Sequence, residues 1–396
     1  MDADTTASAA WSTPSGRRRS LAAIISSSLG VGLAFGMGYP LASLVLEQRG
    51  EPSWIIGLVG AAPSLAILMV LPLLPSAVRI VRPVTAILIG CVVSAVGYIA
   101  LLFIDSAWTW IAVRFAMGAG LALPWLVGET WINHVAVDQS RTRVIAMYAT
   151  AFFSGFAAGP IVLDVTGADA SSTYLVGATG SLLAAIPILL ARGLAPDLSH
   201  ESTTGLLGGL RLAPAAMASS FLGGYLETTY FALLPNAALA TGLDENTALK
   251  HLTVMLAGGL LTQYALGWVG DRTSRVGLLI ALGVIFMSLA FVLPLVLGTG
   301  ILSFATVFVL GAIVLGFYTL GLAVLGKEVD ARDLATANAA FILMYTLGGI
   351  AGPAVTGVAM SMEPVMGFLA STALITLVLT ALTRRAQLWH VHTRTP

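Results

Sequence analysis

Charge and cysteine are what this chain has least of. Charged residues make up 10% of its 396 positions, where a water-soluble domain carries about 25%. Basic and acidic groups balance to a formal net charge of zero, so there is no basic excess to draw in nucleic acid, and no such partner is expected. Cys91 is the one cysteine, which excludes an internal disulfide and leaves the redox compartment open. There is no zinc-type Cys/His cluster, no HExxH or GxSxG string, no Walker motif and no pair of carboxylates inside an apolar stretch. Enzyme chemistry, a resident metal and ATP-driven transport are left without support, and no cofactor is expected. His390 and His392 sit in the terminal tail and make a poor metal site.

What the chain has in quantity is apolar surface. Hydrophobic residues make up 57% of it, more than one water-facing core can bury, so lipid is the expected solvent. A spanning helix needs about 20 apolar residues. Such stretches fall at 21–46, 53–75, 83–104, 107–131, 143–163, 172–191, 212–235, 247–268, 276–297, 301–325, 335–361 and 364–383. The uncharged run from Val276 to Gly326 is too long for one helix, and Gly298-Thr299-Gly300 supplies the turn that splits it. The prediction is an all-α membrane protein of twelve transmembrane helices in two six-helix halves. The first stretch is too long for a cleaved signal peptide and is read as a retained helix. Expected boundaries are a disordered cytoplasmic tail at 1–20, the halves at 21–192 and 212–385, a cytoplasmic linker at 193–211 and a tail at 386–396.

One displacement lays the second half on the first. Gly155-Phe-Ala-Ala-Gly159-Pro160 falls on Gly348-Gly-Ile-Ala-Gly352-Pro353 with a shift of 193 positions. Arg79 and Arg82 fall on Arg272 and Arg275, Gly118 on Gly311, and Gly128 on Gly321. Duplicated apolar halves are the mark of a secondary transporter with its binding site at the repeat interface. With the N-terminus inside, all but Arg49, Lys250 and Arg114 of the nineteen Lys and Arg fall on the cytoplasmic side. Both termini are therefore expected in the cytoplasm, with Trp54, Trp108, Trp110 and Trp268 near the span ends as interfacial aromatics.

These motifs resemble the major facilitator superfamily over nearly the whole chain after residue 20. Gly267-Trp-Val-Gly-Asp271-Arg272-Thr-Ser-Arg275 is similar to the family's GxxxDRxxxR loop. Arg114-Phe-Ala-Met-Gly118 is similar to the RxxxG string of drug:proton antiporters, and the GxxxGP string of the fifth span is associated with antiport. Glu129-Thr-Trp-Ile-Asn133, with Arg141, Arg143 and Tyr148, resembles a little-characterised bacterial branch. In the first copy, Val78 stands where Asp271 stands in the second, and Leu74 where Gly267 stands. The family's Asp helps latch the cytoplasmic side near a helix N-terminus. The resemblance thus implies a one-sided latch at Asp271, Arg272 and Arg275, with Asp271→Asn disturbing the conformational balance and Val78→Ala leaving it alone. The alternative is that these residues only set topology.

Two ionisable residues fall well inside spans. At 1.5 Å per residue, Arg114 lies roughly 10 Å and Glu227 roughly 12 Å from the outer ends of the fourth and seventh helices. The resemblance implies that helices 1, 4, 7 and 10 line a central cavity, so both side chains are expected to face it. Glu227 is read as the carrier of a coupling proton, and Arg114 as tuning it or holding an anionic group. A static ion pair, or Arg114 bonded to backbone carbonyls, is the other reading. Trp125, which maps onto Tyr318, and Phe35, Tyr39, Tyr230 and Phe231 are candidate substrate contacts, each also readable as packing. Ser220 and Gly223 fall near the face of Glu227. Glu129 is assigned to a cytoplasmic ion-pair network and Gln263 to an interhelical hydrogen bond. Gly155, Gly159, Pro160, Gly348, Gly352 and Pro353 are read as packing and kink positions.

The expected protein is a monomeric inner-membrane secondary transporter of a small organic compound. Proton-coupled efflux by alternating access, driven by the proton gradient, leads. A proton-coupled uptake symporter is the alternative, followed by a non-transporting membrane sensor.

Overall fold

The computed structural model describes residues 11–73, 80–137, 141–168, 170–196, 206–330 and 333–394, and no strand occurs among them. Among the described residues twelve helices of eighteen residues or more follow one another, with short links except at 71–82 and 191–213. They are α1 (Pro14–Gln48), α2 (Ser53–Val70), α3 (Pro83–Leu102), α4 (Ala107–Val135), α5 (Arg141–Thr166) and α6 (Ser171–Leu190). Then come α7 (Pro214–Leu239), α8 (Glu245–Arg272), α9 (Arg275–Val296), α10 (Ile301–Glu328), α11 (Leu334–Met362) and α12 (Pro364–Arg394). The turn signals act where expected. Gly298 and Gly300, both at positive φ (86° and 66°), separate α9 from α10. Pro83 and Pro214 open α3 and α7, where a missing N–H costs nothing. Ser274 caps α9 by accepting from the Gly277 amide at 3.1 Å.

Eleven of these helices are long and apolar enough to cross a membrane. The twelfth, α7, carries Ser219, Ser220, Glu227, Thr228, Thr229 and Asn236, all buried. A helix surrounded by protein need not be apolar all round, because its polar groups find partners in its neighbours.

The chain forms two compact units that do not coincide with the sequence halves. Unit 1 is Met1–Leu41 with Leu65–Thr203, and unit 2 is Ala42–Ser64 with Thr204–Pro396. The C-terminal end of α1 and most of α2 thus belong with the second copy. The terminal expectations also shift. Residues 14–20, expected in the disordered tail, are helical, and α12 runs past 385 to Arg394. Part of the 193–211 linker lies outside the described residues, and 206–209 within it form a short helix.

Within unit 1, α1 and α5 meet backbone to backbone. A Cβ added at Gly155 would stand 1.9 Å from the Leu29 carbonyl oxygen, and one at Gly36 would stand 2.0 Å from that of Phe156. Within unit 2, α7 and α11 make the same kind of crossing. A Cβ at Gly348 would stand 2.1 Å from the Phe221 oxygen, and one at Gly224 would stand 1.9 Å from that of Tyr345. The two GxxxGP strings therefore do one job twice, letting a neighbouring helix approach closely. Both α5 and α11 run on through their prolines.

Candidate functional site

Unit 1 buries a cation. Arg114 on α4 is 2% exposed. Its Cζ lies 5.1 Å from the centroid of the Tyr39 ring on α1, a cation–π distance. Its electrostatic neighbours are the phenols of Tyr39 and Tyr98, not a carboxylate. The Tyr98 hydroxyl is itself committed to the Ala34 carbonyl at 2.5 Å. The Arg114 Nε and Nη2 have no hydrogen-bond partner. The guanidinium can lie there because residue 38 is glycine; a Cβ would stand 2.2 Å from Nη1.

From Tyr39 a chain of rings runs through unit 1. Tyr39 meets Phe156 at 6.4 Å, Phe156 meets Phe152 at 6.3 Å, and Phe152 stacks on Trp125 at 6.4 Å. Phe35 packs edge-on against Trp125 at 6.2 Å and lies 6.0 Å from Phe152. The Trp125 indole donates to Glu129 Oε1 at 2.9 Å. Of the ion-pair network expected around Glu129 with Arg79, Arg82, Arg141 and Arg143, Arg79 and the Arg141 side chain lie outside the described residues, and Arg143 makes no pair with Glu129 among them.

Unit 2 buries an acid. Glu227 on α7 is 8% exposed, and its side-chain hydrogen-bonding neighbour is Tyr345 on α11. Tyr345 lies 5.1 Å from Tyr318 on α10, which also contacts Phe341 at 5.3 Å. Gly223, one turn from Glu227, leaves space against the Tyr318 amide. Ser220 donates to the Phe341 carbonyl at 2.5 Å.

The other expected residues fall as follows. Tyr230 is fully buried, with its ring 4.9 Å from Phe368 and 5.9 Å from Phe286, in a packing cluster with α9 and α12. Phe231 is buried. Asp271 is 70% exposed and pairs with Arg275 at 3.1 Å; Arg275 also donates to the Ala323 carbonyl at 2.7 Å. Arg272 lies over the Trp268 ring at 3.9 Å. Val78 and Arg79 lie outside the described residues. Gln263 makes the expected interhelical bond, accepting from Thr319 at 2.5 Å. Trp108 and Trp268 are exposed, as interfacial rings should be, whereas Trp110 is fully buried with its indole on the Ile104 carbonyl.

Two groups of residues escaped the sequence reading. Phe152 and Tyr345 are 193 positions apart, like Trp125 and Tyr318. Each copy therefore holds an aromatic pair at the same two positions, and each pair is in contact within its own unit. The repeat shift, applied to aromatics beyond Trp125, was the available signal. The second group is a polar cluster in unit 2. Asn236 donates to Glu47 Oε2 at 2.6 Å and accepts from the Ser43 hydroxyl, while Gln48 donates to Glu245 at 2.6 Å. Ser43 and Asn236 are themselves 193 positions apart, so equivalent positions of the two copies bond to each other.

Twelve helices, an internal repeat and opposite charges buried in spanning helices define a secondary transporter. The chain belongs to the major facilitator superfamily, whose model matches residues 24–353. It is 25% identical over 337 residues to the uncharacterized MFS-type transporter YfkF of Bacillus subtilis (strain 168), covering 82% of this chain and 85% of that one. It is 24% identical over 340 residues to the uncharacterized MFS-type transporter YcaD of Escherichia fergusonii, covering 85% and 88%. Among solved structures it superposes on the D323A mutant of the nucleoside transporter NupG with a TM-score of 0.75 at 17% identity, over 93% of this chain and 99% of that one. A bacterial homologue of the human lysosomal transporter Spinster, inward-facing and unoccupied, gives 0.73 at 13% over 94% and 96%. At these identities the likeness to the solved structures is one of fold.

Proposed function

We propose that this facilitator is a proton-coupled exporter of a small organic compound, working by alternating access in the inner membrane with both termini in the cytoplasm. The observation that carries the reading is Glu227, a buried carboxyl in a spanning helix whose hydrogen-bonding neighbour is a phenol and not a cation. An ionised carboxylate at that depth needs water or a counter-charge, and a protonated one does not. Its proton occupancy is thereby tied to its access to water, which is the link a coupled carrier requires. Phe35, Tyr39, Trp125 and Tyr318 are the proposed substrate contacts. Asp271, with Arg272 and Arg275, is the proposed cytoplasmic latch. The RxxxG and GxxxGP strings support the antiport direction by resemblance.

The sign of an imposed gradient separates antiport from symport. Proteoliposomes with an acidic lumen are mixed with a panel of radiolabelled aromatic and aliphatic solutes. Antiport predicts that a substrate accumulates in the lumen as protons leave. Accumulation only with the acidic side outside identifies a symporter and overturns the export reading.

A further inference from the structure

We propose that Arg114 and the ring chain of unit 1 form an organic-anion site, with the guanidinium reading a carboxylate and the aromatics taking an apolar, preferably aromatic, body. This deepens the carrier reading by naming the substrate class, and it rests on that reading only for what the site is used for.

The argument begins with the unmade bonds. Nε and Nη2 of Arg114 are both buried and both without partners. These two N–H groups point from one edge of the guanidinium in parallel, the fork that grips a carboxylate at two points. Arg272 and Arg275, the arginines assigned to the latch, look different because their donors are engaged. Arg275 gives one nitrogen to Asp271 and the other to the Ala323 carbonyl, and Arg272 gives one to the Trp268 carbonyl. A buried guanidinium with two idle donors is costly to fold around. The cation–π contact with Tyr39 offsets part of that cost and leaves Nε and Nη2 unpartnered.

The surroundings specify the rest of the ligand. Tyr39, Phe156, Phe152, Phe35 and Trp125 succeed one another from the guanidinium outward, each in ring contact with the next. A flat apolar body attached to a carboxylate matches a cation at one end and a row of rings beyond it. The second copy holds no such site. The position equivalent to Arg114 is Val307, and the position equivalent to Glu227 is Ala34. The copies have thus divided the charges, with the cation in one and the acid in the other. Arg114 is closed off from solvent in this structure, so ligand entry requires α1 to yield. Gly36, Gly38 and Pro40, beside the site, are where that helix is most easily bent.

The test is binding to the purified full-length protein in detergent, which needs neither gradient nor transport. Titration calorimetry compares 3-phenylpropanoate, indole-3-acetate and octanoate with their uncharged amides. At least one acid should bind saturably and ten-fold or more tighter than its amide, with the aromatic acids ahead of octanoate. Arg114→Lys, which keeps the charge but loses the fork, should erase most of that preference. Because the wild-type comparison stands alone, a misfolded variant does not blunt the test. Equal affinity for acid and amide throughout, or no saturable binding of any acid, overturns the site. Acid-selective binding without proton-driven flux would remove the coupled-carrier reading and leave the site intact. Flux without acid selectivity would do the reverse.

Discussion

A buried polar group in a membrane helix is informative when its partners are counted. Gln263 and His251 have theirs. Gln263 is tied to Thr319 and to the Gly259 carbonyl, and His251 to Thr247 and Ser303. Such groups hold helices together, and the effect of each is small. Thr319→Val should lower stability by about 0.6 kcal/mol, the average for an interhelical bond in a membrane. Thermal unfolding in detergent would show it, with flux unchanged. Arg114 and Glu227 differ because, among the described residues, neither shows an opposite charge beside it in its own unit. The sequence made both visible, since charge is rare enough inside these spans for two residues to stand out. It did not reveal the aromatic partners. Tyr230 and Tyr345 look alike in sequence, yet one packs against Phe286 and Phe368 and the other stands beside Glu227. In a helix apolar on every side, periodicity does not say which face meets protein.

Between elements, glycine sets the spacing. At Gly155 and Gly348 the facing group is a backbone oxygen, which has nowhere to go when a methyl arrives. Gly155→Ala and Gly348→Ala should each cost about 1–3 kcal/mol by overpacking, and by similar amounts, since the crossings are equivalent. Unfolding midpoints in detergent would check this; a loss at one site and none at the other would break the equivalence. The pairing of the strings was legible because their shift is shared. The attachment of residues 42–64 to unit 2 was not legible, because the bonds that make it join positions remote in the chain. Cysteines at positions 43 and 236, in a Cys91→Ser background, should cross-link in membranes without added spacer. If they fail to do so, the contact between equivalent positions is not the resting arrangement.

At the scale of the molecule, the charge distribution is the argument for the proposed orientation. A cysteine at Gly50 should label from outside intact cells with an impermeant reagent, and one at Ser274 only after lysis. Labelling of both from outside would undo the proposed topology. The twelve-helix architecture was legible because each span is an independent signal of length and apolarity. The one helix that falls short, α7, does so because it is buried where lipid does not demand hydrocarbon.

In the proposed mechanism, proton occupancy of Glu227 drives transport. Proteoliposomes holding Glu227→Gln test it most directly, because the variant keeps the shape and hydrogen-bonding capacity of the side chain but never ionises. Once a substrate is in hand, two fluxes are compared with those of the wild type: accumulation driven by a pH gradient, and exchange of labelled for unlabelled substrate without one. Gradient-driven accumulation should fall to background while exchange persists. If the variant accumulates substrate as steeply as the wild type, Glu227 is not the proton carrier.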